Sequence, residues 1–258
     1  MKEHAPRQLN ENSQSFLQQE DTLKMLIELR PAVVSFHFGI PPAEWISALR
    51  QEKIITMATA TNPQDARIIE DAGIDMIVAQ GVEAGGHRGM FDPDAVDERL
   101  STFSLVQLLA RQTSLPIIAA GGIMDGRGIK AALSLGASAI QLGTAFVLCP
   151  ESSANDNYRK SIKGPGAATT RLTYVISGRP ARGIANRLIS HGEREGAPRP
   201  PDFPIAYDLT RCLNALEAKH QNHGDFAAHW AGQGAPLARE LPAERLVEQL
   251  IKEWNEAD

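Results

Sequence analysis

Cysteine is nearly absent: Cys149 and Cys212 are the whole supply. Two thiols make neither a disulfide framework nor a four-ligand metal set, and a reducing, cytoplasmic setting is the expectation. Cys149 follows an apolar run and reads as buried and inert. Positive charge is nowhere concentrated. Lys and Arg are scattered and the formal charge is −5, whereas a nucleic-acid partner demands a dense basic surface. No apolar run is long enough to cross a bilayer, so no membrane partner is expected. The first fifteen residues, MKEHAPRQLNENSQS, lack the apolar segment of a signal peptide. There is no G-x-S-x-G elbow, no P-loop and no strand–G-x-G-x-x-G–helix unit; GGIMDGRG at 121–128 has the glycines at the wrong spacing. The seven histidines show no zinc spacing with acidic partners. His220 and His223 are three apart, but KHQNHGD reads as a helix end, and no metal is expected.

What is there is a chain of 258 residues, 43% hydrophobic, enough for a single α/β core. Apolar, β-branched runs occur at 32–38, 54–58, 76–79, 116–120 and 139–142. Stretches with helical spacing lie between them at 42–51, 63–72, 102–112 and 126–135. Nearly continuous apolar strands separated by helices predict a parallel sheet covered on both faces. The count is five βα units, or four and the start of a fifth. It distinguishes neither a closed eight-stranded barrel nor an open sheet with a switch point. After Pro150 the pattern changes. Residues 151–202 are rich in Gly, Pro, Arg and Ser, and helical spacing returns at 208–219 and 243–254. The expected organisation is one part over 1–150 and a loop-and-helix extension, not a second sheet, over 151–258.

Two stretches carry candidate chemistry. In PIIAAGGIMDGRGIKAALSLGASAIQLGTAF a strand ends in Gly121-Gly122, Asp125 is placed to cap a helix beginning near Gly126, and the next strand ends in Gln141, Leu142, Gly143 and Thr144. Glycines at adjacent strand ends let backbone N–H groups approach a phosphate; the plainer reading is a pair of tight turns. In MIVAQGVEAGGHRG, Gln80 ends a strand and offers an amide to a planar heterocycle. Gly81, Gly85, Gly86 and Gly89 let the loop lie over a ligand. His87 is the natural general base or, on the plain reading, a surface histidine. Arg88 binds an anion, pairs with Glu83 or, on the plain reading, is solvated. His37, in SFHFG, stands at another strand end and reads either as a core residue or as substrate-facing.

At these residues the chain resembles the nitronate monooxygenases, formerly called 2-nitropropane dioxygenases. AQGVEAGGHRG and LPIIAAGGIMDGRGIKAALSLGASAIQLGTAF carry the resemblance. It continues through ESSANDNYRKSIKG, SGRPARGIANR and HWAGQGAPLAREL. It implies an FMN-dependent (β/α)8 barrel of the TIM type. Gln80, Gly85, Gly86, Gly121, Gly122 and the 141–144 segment would hold FMN, with its phosphate on the last two strands. His87 matches the catalytic histidine that takes the α-proton of a neutral nitroalkane, and His37 a second active-site histidine. Tyr207, with Phe203 and Arg211, matches a region lining the substrate pocket. The family's opening strand, ending in a P-I-x-Q-A-P-M type motif, and the two strands after it have no counterpart here. The five strands then correspond to strands four to eight of an N-terminally truncated barrel. The implied reaction oxidises a nitronate with O2 to a carbonyl compound and nitrite. Two alternatives stand beside it: an FMN-dependent NAD(P)H oxidoreductase of the enoyl-acyl-carrier-protein reductase or quinone reductase type, and an inactive remnant. The oligomeric state is left open.

Overall fold

The computed structural model describes residues 20–219 and 224–257. The amino-terminal fifteen-residue stretch, His220 and His223 lie outside the described residues. The chain forms two compact units. Among described residues one comprises 20–84, Arg88–Gly143 and 244–257, and the other Gly85–His87 and Thr144–Ala243. These units cut the chain at other places than residue 150. The helix Ala243–Glu256 falls almost wholly with the first unit, where Glu253 Oε2 accepts the Gly126 N–H at 3.1 Å.

The first unit is built on a five-stranded parallel sheet. Its strands are β1 (Val33–Phe36), β2 (Ile55–Ala60), β3 (Met76–Gln80), β5 (Ile117–Ala120) and β6 (Ala139–Gln141). The short β4 (Gly86–His87) belongs to the other unit. The spatial order is β1-β2-β3-β5-β6, the order of the chain. Every crossover therefore moves one place in the same direction, and no reversal creates a switch point. That is barrel-type winding, and it resolves what the strand count left open. The register Ile77↔Ile117 and Val78↔Ile118 aligns the most apolar strands. All four residues of β5 are buried.

The crossover helices are α2 (Ala43–Gln51), α3 (Pro63–Asp71), α4 (Thr102–Leu109) and α5 (Gly126–Ser134), following α1 (Glu20–Leu29). Their starts are chemically marked. Asn62, Ser101 and Asp125 each accept an N–H from the first turn, which satisfies a donor that the helix leaves orphaned. Their apolar faces meet the sheet through Leu49, Ile69, Leu105 and Leu109, all fully buried. Each such side chain contributes roughly 1.5–3 kcal/mol relative to exposure.

The second unit departs from expectation. It contains a three-stranded antiparallel sheet, ordered β4-β8-β7, made of β4, β7 (Thr170–Thr173) and β8 (Ala181–Ile184). The expected loop-and-helix extension without a sheet is thus corrected. The strands escape a local reading because each is only four residues long, TRLT with three polar residues and ARGI broken by an arginine and a glycine. The central strand β8 takes one partner, β4, from far earlier in the chain, pairing Gly86 with Arg182 and His87 with Ala181. Helices α6 (Asp156–Lys163), α7 (Arg187–Gly192) and α8 (Ile205–Lys219) complete this unit. One buried cluster of this unit joins Leu148, Ile162, Ala167, Ile184, Ala231 and Ala235.

Candidate active site

In the sheet unit, the candidate residues gather at the carboxyl ends of the strands, where parallel α/β folds place their chemistry. His37 follows β1, Gln80 closes β3, Gly121 and Gly122 follow β5, and Gln141, Leu142 and Gly143 end β6. Gly121 and Gly122 have φ of +120° and +71°, a left-handed pair that only glycine adopts readily. A Cβ added at Gly143 would meet nothing within 4 Å. Side-chain-free backbone at adjacent strand ends is compatible with a phosphate-bearing group, open at Gly143, whereas a Cβ at Gly121 or Gly122 would meet Thr102, Ala84 or Glu83. His37 Nδ1 lies 3.0 Å from Thr59 Oγ1 at the end of β2, and its ring packs against Phe38.

Gln80 and Arg88 form one latch. Gln80 Oε1 accepts the Gly89 N–H at 2.8 Å, and the Gln80 carbonyl accepts Arg88 Nη1 at 2.7 Å. The rest of the guanidinium grips Asp97, with Nε and Nη2 at 3.0 and 2.9 Å from the two carboxylate oxygens. Arg88 is fully buried. Its partners are Asp97 and the Gln80 carbonyl, not Glu83; Glu83 instead accepts the Thr102 N–H and hydroxyl. The bidentate fork of Asp97 matches guanidinium geometry better than a side chain five residues away along the loop. Burial alone would raise the Asp97 carboxyl. The Arg88 hydrogen bond, the Arg99 N–H and both guanidinium charges outweigh it and hold the carboxyl below its ordinary value of 3.8.

In the other unit, His87 sits on β4 among rings. Phe203 and Tyr207 meet it edge-on at 5.5 and 6.0 Å between centroids, and Trp230 lies tilted at 5.1 Å. Its Nε2 is 2.9 Å from Ser177 Oγ. The sequence pointed to Phe203 and Tyr207; it gave no role to Ser177 or Trp230, although both stand in quoted motifs, SGRPARGIANR and HWAGQGAPLAREL. Gly85 is needed for close packing within the chain: a Cβ there would fall 2.5 Å from the Gly232 nitrogen. Gly86 has φ +77°. Thr144 Oγ1 accepts the Gly232 N–H at 3.0 Å. Arg211 is largely exposed, 3.9 Å from Asp208. It lines a cavity of about 190 Å³ with Tyr158, Tyr207, Asn214 and His229. His229 stacks flat on Tyr158 at 5.0 Å; burial lowers its imidazole, partly offset by Glu217. Burial also pushes the Tyr158 phenol up to about 12, and its hydroxyl donates to the Trp230 carbonyl. Cys149 is buried and its thiol is pushed up by burial. Among the described residues no group of His, Cys, Asp and Glu is arranged to hold a metal, and no helix is long and apolar enough to cross a membrane.

The winding of the sheet and the residues at its strand ends define an α/β protein of the TIM-barrel type. Comparison with known proteins makes the family specific. A family profile described as "Nitronate monooxygenase" matches residues 2–253, and the chain belongs to the nitronate monooxygenase family, a flavin-dependent family. It is 56% identical to a nitronate monooxygenase of Pseudomonas aeruginosa over 93% of this chain and 68% of that protein. It is 52% identical to one of Paraburkholderia phytofirmans over 98% of this chain and 69% of that protein. Among solved structures, the nitroalkane oxidase of Streptomyces ansochromogenes superposes with a TM-score of 0.86 at 41% identity, covering 92% of this chain and 68% of that one. FabK of Thermotoga maritima gives 0.72 at 31% identity, covering 92% and 72%. The family match runs over nearly the whole chain and so lends no support to the expected N-terminal truncation.

Proposed function

We propose that this chain oxidises alkyl nitronates with O2 to a carbonyl compound and nitrite, using FMN. The observation that carries the reading is the 56% identity, over 93% of this chain, to a protein named nitronate monooxygenase. Bound flavin supplies the electron-transfer chemistry; the protein supplies binding, orientation and proton handling. Gly121, Gly122 and the backbone of Gln141, Leu142, Gly143 and Thr144 would take the phosphate. Gln80, Gly85 and Gly86 would approach the rest of the cofactor. The Gln80 amide is pre-oriented for this, since its Oε1 is committed to Gly89. His87 acts as the base for a neutral nitroalkane, and the rings of Phe203, Tyr207 and Trp230 pack around its imidazole. His37 is the second active-site histidine, and Arg211 with Tyr207 lines the substrate side. The division into a cofactor-binding part over 1–150 and an extension over 151–258, and a cytoplasmic setting with both thiols free, belong to the same proposal.

A nitronate already lacks the α-proton that His87 would remove. His87→Asn is therefore expected to lower turnover of neutral nitroalkanes by roughly 10²–10⁴-fold while sparing preformed nitronates. Undiminished nitroalkane turnover overturns the base assignment. The likeness to FabK keeps a second reading in view. Anaerobic mixing separates them: flavin bleaching by a nitronate supports the first, and rapid bleaching by NADH with none by a nitronate supports the second.

A further inference from the structure

We propose that Thr102 is a positioning residue for the cofactor's phosphate: its buried hydroxyl holds the Gly121 carbonyl inward, and this turns the Gly122 N–H outward as a donor to that phosphate. The inference rests on the reading that Gly121 and Gly122 take the phosphate. Thr102 opens α4 and is 1% exposed. Nothing in the proposed chemistry uses it. Its Oγ1 lies 2.9 Å from the Gly121 carbonyl, 3.0 Å from Glu83 Oε2 and 3.3 Å from the Ala120 carbonyl. All these residues belong to the sheet unit. A threonine hydroxyl has one proton to give. Glu83 Oε2 also accepts the Thr102 N–H, and the Ala120 carbonyl the Gly81 N–H, both at 2.9 Å. The Gly121 carbonyl is the nearest of the three, and among the described residues the Thr102 hydroxyl is its donor.

The direction of one carbonyl fixes the next N–H. A trans peptide is planar, so the C=O of one residue and the N–H of the following one point opposite ways. The Gly121–Gly122 peptide is trans. With the Gly121 oxygen turned toward Thr102, the Gly122 N–H faces away from it. Gly122 is exposed, and among the described residues its N–H meets no acceptor. Two glycines at φ +120° and +71° can turn over the peptide between them at little cost, so a tether is needed to hold one orientation. The tether is itself stiff. Threonine is β-branched and restricted at χ1. Gly81 keeps the space for its hydroxyl, since a Cβ there would fall 2.0 Å from Thr102 Oγ1.

The test compares dissociation constants of FMN and of riboflavin, which lacks the phosphate, by flavin fluorescence on the full chain. The wild type should hold FMN more tightly than riboflavin. Thr102→Val keeps the shape and removes the hydroxyl. It is expected to weaken FMN about 10-fold and to leave riboflavin within about 2-fold. Thr102→Ser, which keeps the hydroxyl, should return most of the FMN affinity. Glu83→Gln, which leaves the hydroxyl to Gly121, should keep FMN within about 2-fold. Equal weakening of both flavins by Thr102→Val marks a merely structural threonine and overturns the inference, as does unchanged FMN binding. A Glu83→Gln loss equal to that of Thr102→Val also overturns it, because the carboxylate would then be the partner that matters. If Thr102→Val fails to fold, Thr102→Ala carries the same two arms. If both fail, the wild-type Gly122 amide decides by ¹⁵N resonance: it must shift with FMN and not with riboflavin, and an amide unmoved by FMN overturns the inference. A wild type that binds neither flavin, or both alike, sinks the phosphate reading and the inference with it. One that discriminates, and whose Thr102→Val variant discriminates equally, overturns the inference alone.

Discussion

Arg88 and Arg159 each tie down a loop, one in each unit, by different chemistry. Arg88 spends its guanidinium on a carboxylate and one carbonyl, Asp97 and Gln80, with side chains 1% and 11% exposed for the Arg88–Asp97 pair. Arg159 spends its own on carbonyls alone: Ala154, Leu148, Cys149 and Ser152, at 2.8–3.0 Å. The sheet unit has a large apolar core around Ile77, Leu105 and Leu109. A buried charge there has to be neutralised, because nothing else in such surroundings can solvate it. Arg159 in the second unit is only partly buried, so neutral acceptors suffice. The difference teaches that the immediate neighbour of the candidate base is structural. Arg88 anchors the turn after β3, while His87, one residue earlier, pairs with β8 of the other unit.

The largest effect should come from halving the ion pair. Arg88→Ala leaves Asp97 without its guanidinium partner, keeping only the Arg99 N–H, and is expected to cost about 3–5 kcal/mol in urea denaturation, whereas the double change Arg88→Met, Asp97→Leu should recover most of it. Arg159→Ala should cost less, about 1.5–3 kcal/mol, because freed carbonyls at a half-open site regain water. Equal costs for the two arginines would break the comparison. Asp125→Ala, which removes the α5 cap bond to Gly128, should cost about 1 kcal/mol.

Acid titration sharpens the same contrast. The folded Asp97 carboxyl lies below its ordinary 3.8. A depressed carboxylate adds stability above the unfolded value, and that stability is lost as pH falls through the folded value. Thermal melts below about pH 4 should therefore show a loss in the wild type that Asp97→Asn lacks, on top of that variant's lower baseline. A parallel acid response in both proteins would show that Asp97 does not carry the charge.

The sequence by itself determined the sheet unit almost element by element. The apolar runs at 76–79 and 116–120 became β3 and β5 with ends shifted by one residue. Asp125 caps the helix it was placed to cap. These features are legible because their causes are local: a buried parallel strand must be apolar throughout, and a helix start must satisfy its own first turn. The family signature was legible too, since it lies in contiguous motifs. Tertiary structure alone decided the rest. It took His87 out of the sheet it follows and into a second sheet that TRLT and ARGI do not advertise. It also gave Arg88 to Asp97 instead of Glu83, and set Ser177 against His87. Each of these rests on a pairing between segments distant in the chain or on the exact reach of a fork of N–H donors. Spacing in a sequence fixes periodicity along one element; it does not fix which lone pair ends up 2.9 Å from which nitrogen.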